Sequence, residues 1–421
     1  MEHSPATSRI TAQYSDIVRI EPFANSPVGQ LVPIAGVDPV RGEWAHAAFV
    51  PHPLPGESPE LSGATYRAVA NARASLAALD STARSLPNPR LFRQTTLRVE
   101  AQSTAALEGT YETLMKVLAA GDDADKDPSL REVLNYLVVA EAAFGWSQER
   151  RALTASMLGQ LQERLMDGTR HATPQTGHVR DVQVVIGRRE DADFAELPIK
   201  AAQFVPTPPG PDLAARLSDL LTWMSTDHRG RFDPVVVGAL AHYQFEALHP
   251  FHDGNGRLGR LLIVVQLHHS GVLSEPTLSV SPWFEGHRAD YFGLLMGVST
   301  QGDWDAWVRF FAQGLQASAD QTRRRMERLA HVQADLKQQV AASPLRAGSA
   351  RQLVDFAVGQ PTFTVREAAS ALDLSYGRSN KLVDSLVKLG VLSHWGPAGY
   401  NRRFAAPSVI DVLLGSDPTH R

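Results

Sequence analysis

Between His249 and Arg260 the chain reads HPFHDGNGRLGR, placing a base, an acid and two guanidinium groups around a Gly-Asn-Gly turn. Gly254 and Gly256 admit positive φ and leave no Cβ in the way of a ligand. The residues that follow carry a helical pattern through RLGRLLIVVQLHH, so the turn falls at a helix N-terminus. Free N–H groups and the positive end of the dipole favour an anion there. Arg257 and Arg260, three apart, share one face of the first turns. Two such cations suit an oligophosphate better than a single carboxylate. Asp253, directly before the turn, is a hard oxygen ligand of the kind Mg²⁺ takes beside phosphates. His249 ends the helical stretch VVVGALAHYQFEAL, which Pro250 stops, and can there accept the proton of an attacking hydroxyl. Phe251 reads as the buried anchor of the loop. A zinc site made of His249, His252 and His268 or His269 is disfavoured: Pro250 breaks the helical register such ligands use, and there is no HExxH.

Elements able to hold this loop are legible on both sides. Helices are expected over LSGATYRAVANARASLAALDSTARSL and over LFRQTTLRVEAQSTAALEGTYETLMKVLAAG, the second broken near Glu108–Gly109. A third is expected from DPSLREVLNYL, capped by Asp127 or Ser129, and a fourth over TASMLGQLQERLMDG, with Gly168 past its end. Alternation around Val182–Ile186, a charged turn and a return run predict a β-hairpin. Helices resume at 211–226, 233–247, 257–270, 285–298 and 304–315, the last continuing as a long charged connector. After a linker at 343–349, helices at 365–372 and 376–389, then a strand, a Gly396-Pro397-Ala398-Gly399 turn and a strand, form the pattern of a winged helix. Residues 1–60, rich in Pro, Gly and Ser, predict an irregular or short-strand arm. The expected fold class is mainly α, divided as 1–120, 121–342 and 343–421.

The bulk numbers set limits. The 421 residues are 43% hydrophobic and 20% charged, an ordinary globular balance. A net charge of −4 provides no whole-chain polycation. The absence of cysteine excludes disulfides and thiol nucleophiles and fits a reducing compartment. The longest apolar run, LLIVVQL, is far short of the ~18 residues of a membrane span. The first residues carry no signal-type apolar core. A cytoplasmic protein with no membrane partner is the expectation.

HPFHDGNGRLGR meets every specified position of H-x-F-x-D/E-G-N-G-R-x-x-R, the motif of the Fic family, which the chain resembles over roughly residues 45–320. Thr104, Glu108 and Gly109 in TAALEG are similar to the inhibitory helix of the class in which that helix precedes the core. The resemblance implies Mg²⁺- or Mn²⁺-dependent transfer of AMP from ATP to a Ser, Thr or Tyr hydroxyl of a protein. It implies His249 as general base, Asp253 as metal ligand, and Gly254, Asn255 and Gly256 as the phosphate cradle. Arg257, Leu258, Gly259 and Arg260 complete the ATP-binding stretch, with Arg260 on the γ-phosphate. Ile186, Gly187, Arg188 and Arg189 fall in the flap that pairs with the target's backbone. Tyr291 and Phe292 stand where the family has an aromatic pair near the nucleoside, Phe292 departing from a second tyrosine. Ser299 departs from the family by standing where some relatives have an Asn near the adenosine. Relatives that transfer the terminal phosphate carry Lys at the position of Gly254, so this chain favours nucleotidyl transfer.

Glu108 is implied to reach Arg260 and compete with the γ-phosphate, through a contact worth on the order of a few kcal/mol. Moving a two-state balance from 1:99 to 99:1 takes about 5.5 kcal/mol, so such suppression is strong and reversible. Two other readings remain open. The same residues serve removal of AMP from a modified protein, with Glu108 positioning water. Alternatively Arg378, Lys381, Lys388, Arg402 and Arg403 meet DNA phosphates and the chain is a regulator. A homodimer is also compatible with the sequence.

Overall fold

The computed structural model describes residues 20–86, 88–120, 127–345, 348–396 and 402–415. Two helices form its centre. Helix α8 (Pro234–Leu248) and helix α9 (Asn255–His269) are buried on nearly every side, as their unbroken apolar runs require. Both pack between the helices that precede and follow them. These are α1 (Gly63–Ser85), α2 (Pro89–Leu107), α3 (Leu114–Ala119), α4 (Pro128–Gln148), α5 (Ala155–Met166), α6 (Pro198–Ala201) and α7 (Pro211–Ser225), then α10 (Ser281–Gly286), α11 (Arg288–Gln301) and α12 (Trp304–Ala341). The six-residue loop between α8 and α9 carries HPFHDG.

Local chemistry sets the helix ends. Asp127 accepts from the N–H groups of Ser129 and Leu130 and so caps α4 as expected. Ser62 caps α1, and its N–H and hydroxyl both bond Asp305 at 2.6 and 3.0 Å, fastening α1 to the start of α12. The Ala-rich face of α1 (Ala68, Ala72 and Ala83 all buried) lets it lie close along α12. α2 ends at Leu107. Glu108 is its C-terminal cap and Gly109 follows at φ 92°, a conformation that suits glycine.

Two expectations about strands change. The arm before α1 is regular: β1 (Gly29–Asp38) and β2 (Gly42–Pro51) form an antiparallel hairpin in register from Gly29↔Pro51 to Asp38↔Gly42. Pro33 and the glycines hide it in the sequence, but Pro33 lies on an edge strand, where a missing N–H is tolerated. Residues 1–19 of that arm lie outside the described residues. The hairpin near Ile186 is shorter than its alternation implied: β3 (Ile186–Arg188) pairs with β4 (Ala202–Phe204), and Val182–Val185 form no strand. β2 backs this flap, since Phe49 N–H bonds the Val205 carbonyl at 2.8 Å and Ala48 packs with Ile199, Ala202 and Val205.

The C-terminal unit adds α13 (Gly348–Gly359), to which the sequence pattern assigned no element, and β5 (Thr362–Thr364). Next come α14 (Val365–Leu372), α15 (Tyr376–Lys388), β6 (Ser393–Trp395), β7 (Arg403–Ala405) and α16 (Pro407–Leu414). Its sheet runs β5-β7-β6, all antiparallel. Thr364 and Glu367 make a reciprocal capping box at α14, and Asp373 in the left-handed region turns the chain into α15. The turn after Gly396 lies outside the described residues. This unit is not a loose appendage. α13 packs on α2, the Thr362 hydroxyl donates to the Leu118 carbonyl, and Arg403 bonds the Ala120 carbonyl at 3.3 Å. Arg403 therefore points inward, and Arg402 bonds Asn380 at 3.0 Å, while Arg378, Lys381 and Lys388 stay exposed. Among the described residues no helix is long and apolar enough to cross a membrane.

Candidate active site

His249 is the last residue of the α8 turn, at φ 49° and ψ 61°, and Pro250 turns the chain away. The buried Arg180 pins this corner. Its Nε donates to the His249 carbonyl at 2.8 Å, its guanidinium also reaches the Leu248, Val182 and Thr207 carbonyls, and its N–H bonds the Pro250 carbonyl at 2.9 Å. Burial pulls the Arg180 guanidinium down to about 10. Burial also pushes the His249 imidazole down to about 4, and the Arg180 charge adds to the fall against the opposing pull of Glu108. The ring is therefore neutral at pH 7, the form that accepts a proton.

The loop is braced from within. Phe251 is fully buried, as expected of an anchor. The Asn255 side chain takes the Phe251 N–H at 2.9 Å and gives its own N–H to the Phe251 carbonyl at 2.8 Å. The Asn255 amide is therefore spent on the loop, and only its backbone N–H faces out from the helix start. Gly254 caps α9 at φ 81° and Asp253 accepts its N–H. Helix geometry leaves the N–H groups of Asn255, Gly256 and Arg257 free of intrahelical partners.

Two of the expected nucleotide contacts look elsewhere. The Leu258 side chain is core and its N–H is spent on the Gly254 carbonyl at 3.1 Å. Gly259 faces α8, where a Cβ would meet Glu246 and, at 3.2 Å, His242 and Phe245. Its role is close helix crossing, which the period of the motif does not reveal.

Both arginines are 1% exposed and both are paired with carboxylates. Arg257 holds Glu132 at 2.6 Å and Asp253 at 3.0 Å, and Glu132 also accepts from the Thr110 hydroxyl at 3.0 Å. Arg260 holds Glu108 at 2.6 Å, the Thr104 hydroxyl at 2.8 Å and the Thr104 carbonyl at 3.1 Å. Burial pushes the Glu108 carboxyl up, but the Arg260 charge and hydrogen bond outweigh it and hold it below the usual carboxylate range. Burial lowers Arg260, and the Glu108 charge reverses that and raises it. A Cβ at Gly256 would strike the Glu108 carboxylate, which thus lies directly on the turn where helix α9 attracts an anion.

Helix α2 is stapled at i, i+4 and i+8. Above Thr104 and Glu108, the buried Glu100 accepts from the Ser279 hydroxyl at 2.8 Å, from the Ser281 N–H at 3.0 Å and from the Ser281 hydroxyl at 2.5 Å. Burial nevertheless raises its carboxyl above the ordinary value. Glu100, Glu132 and Arg180 escaped the sequence reading because each acts across a long chain separation. For Glu100 and Glu132 the local signal was an ionisable residue on an otherwise buried helix face; Arg180 lies in a loop.

Beyond the arginines opens a cleft lined by Ile186 of the flap, Phe292 and Met296 of α11, and by Tyr243, Glu246 and Ser299. Phe292 is 39% exposed there. Tyr291, expected beside it at the nucleoside, is instead 1% exposed and bonds His242 Nε2 at 2.7 Å, so it supports the wall from behind. Ile186, Gly187 and Arg188 lie in β3. Arg189 sits just after it, tied to Glu196 and Asp191 at 3.0 Å each.

A turn at a helix N-terminus, two buried arginines, a neutral histidine and an adjoining apolar cleft define a site for a phosphate-bearing ligand with an in-chain carboxylate on its anion position. Residues 66–145 match the model described as Fic/DOC family N-terminal, and residues 152–267 match that of the Fic/DOC family. These segments carry a Fic/DOC N-terminal domain and a Fic/DOC domain. The chain is 29% identical over 176 residues to a protein named protein adenylyltransferase Fic from Drosophila virilis, covering 42% of this chain and 33% of that protein. It is 32% identical over 131 residues to the protein of that name from Aedes aegypti, covering 31% and 25%. The match thus spans a third or less of these curated relatives. A solved Fic family protein from Desulfovibrio desulfuricans G20 shares the fold with a TM-score of 0.51 and 22% identity, covering 83% of this chain and 98% of that one.

Proposed function

We propose that this chain is a protein adenylyltransferase that moves AMP from ATP to a hydroxyl side chain of a protein and is inhibited in cis by Glu108. The observation that carries the reading is the Glu108 carboxylate seated on the α9 turn and bonded to Arg260, where the outer phosphate of a nucleoside triphosphate belongs. The names of the curated relatives support the same reaction.

In this reading the acceptor O–H gives its proton to the neutral His249. The acceptor oxygen bonds the α-phosphorus, the bond from that phosphorus to its bridging oxygen breaks, and pyrophosphate leaves. The free N–H groups at the start of α9 and the guanidiniums of Arg257 and Arg260 hold the phosphates in line. The outer edge of β3, unpaired among the described residues, takes the target's backbone as an added strand.

The donor set suits Mg²⁺ or Mn²⁺. No three His, Asp or Glu residues converge as a metal cage among the described residues, but Asp253 is 31% exposed beside the turn. Mg²⁺ commonly takes one carboxylate and fills its shell with phosphate oxygens and water. Asp253 would hold it after giving up His171, now 3.1 Å away. Bound there, the ion offsets the charge that builds on the phosphates.

Glu108→Gly protein given labelled ATP and a lysate should label acceptors at least tenfold more than the parent, and equal labelling sinks the inhibitory role. Adding His249→Ala should abolish that labelling, by 10²-fold or more, while ATP binding persists. One observation keeps a second reading in view. Glu108 stays ionised and near enough to His249 to oppose the fall of its pKa. A carboxylate so placed can orient a water for removal of AMP, which incubation of AMP-modified protein with the parent chain would reveal.

A further inference from the structure

One ionisable group of the cleft is used by nothing described above. Glu246 lies on α8, three residues before His249, and lines the cleft. Its Oε1 is buried without a hydrogen-bond partner, packed against the Cα of Gly259. The other polar groups of the wall are better provided for: the Tyr243 hydroxyl and the Ser299 hydroxyl satisfy each other at 3.0 Å. A buried carboxyl with unspent hydrogen-bonding capacity is costly, and a ligand that pairs with it recovers that cost.

Its place decides which part of a nucleotide it meets. On one side Glu246 touches the second turn of α9 at Gly259 and feels the charges of Arg260 and Glu108, so it borders the phosphate end. On the other side begins the apolar part of the cleft, where Ile186, Phe292 and Met296 offer flat, non-polar surface suited to a base. What lies between phosphate and base in a nucleotide is the sugar. We propose that Glu246 is a specificity-determining residue that bonds the ribose hydroxyls and makes the site select ribonucleotides over deoxyribonucleotides. Burial pushes its carboxyl up to about 8, so at neutral pH the group has both an O–H to give and a carbonyl oxygen to accept with, and a sugar diol needs both.

The inference rests on the nucleotide reading above, and the test separates the two. Glu108→Gly protein is assayed for transfer and, by calorimetry, for binding with ATP, 2′-deoxyATP, 3′-deoxyATP and GTP, alone and with Glu246→Gln or Glu246→Leu added. The parent should favour ATP over at least one deoxy form by about tenfold, chiefly in KM and Kd. Glu246→Leu should bring that ratio near one, Glu246→Gln should leave it between, and the ATP-to-GTP ratio should hold in both. Equal use of ATP and both deoxy forms by the parent overturns the proposal while leaving adenylyl transfer intact. So does an unchanged ratio in Glu246→Leu, or a change in the GTP ratio instead. Failure of the parent to bind any nucleotide overturns both. Far-UV dichroism and the unfolding midpoint confirm that each variant is folded, and Glu246→Gln, which keeps size and polarity, carries the test if Glu246→Leu does not fold.

Discussion

The two arginines of the motif, three residues apart, are equally buried and each is paired with a carboxylate, yet their partners differ. Glu132, which holds Arg257, is 4% exposed in its side chain, whereas Glu108, which holds Arg260, is 32% exposed. Glu132 sits within α4 and is bonded again by Thr110. Glu108 is the final cap of α2, followed by a glycine at positive φ. Both charges of the first pair are sealed in the protein, so losing Glu132 leaves Arg257 only the part-exposed Asp253 as its counter-charge. The second pair has a solvent side and lies at a helix end. The same chemistry thus yields a fixed brace at Arg257 and a reversible stop at Arg260.

The largest expected effect tests the brace. Glu132→Ala should lower stability by about 3 kcal/mol, since it breaks the sealed pair and leaves Arg257 only the more exposed Asp253. Glu108→Ala should cost less than about 1 kcal/mol, as a half-open pair does. Urea unfolding of the two variants side by side checks this, and equal losses would erase the distinction. A smaller effect concerns Thr104, whose hydroxyl orients Arg260 toward Glu108. Thr104→Val should raise transfer by about fivefold, the equivalent of about 1 kcal/mol, below the rise from Glu108→Gly. A fall in transfer with unchanged ATP affinity would mean that Thr104 serves catalysis instead.

The smallest effect is a pH dependence. His242, pushed down to about 3 by burial, and His249, at about 4, are neutral in the folded protein and take up protons near 6.5 when unfolded. Their contribution is therefore present above pH 6.5 and lost as pH falls toward 4. Glu246, raised to about 8, works the other way: its contribution is present below about 4.5 and fades as pH rises through 8. Glu246→Gln should accordingly make the loss of stability between pH 6.5 and 5 steeper than in the parent. An identical slope in urea titrations would show that the carboxyl does not hold its proton there. The Arg260 stop should persist through this range, because Glu108 titrates below the ordinary carboxylate value.

The strands show how far local pattern reaches. Most helices after residue 61 were readable because their apolar residues recur at helical spacing, and their ends followed from Ser, Asp, Pro and Gly at the caps. The long hairpin of β1 and β2 was not, because its burial comes from packing under the flap rather than from alternation in its own sequence. The helix α13 was missed as well: it is secured by α2, some 250 residues away, not by strong local signals.

What the sequence determined by itself was the inventory and order of the chemistry. A base ends a helix that proline stops, a carboxylate precedes a glycine turn, and two arginines follow on one face, all within twelve residues where spacing alone fixes geometry. The pairing of Glu108 with Arg260 was implied by a resemblance, and the contact itself needs α2 laid across α9. Only the tertiary structure decided the rest. It placed Asn255 on the Phe251 backbone, Gly259 at a helix crossing, Tyr291 behind the cleft wall, and Glu132 and Glu246 in a site no motif mentions. The physical reason is that burial and pairing are set by how separate elements pack, as where Glu132 meets Arg257 across 125 positions. Whether a carboxylate is a sealed brace or an open stop depends on the solvent left around it, which no local pattern records.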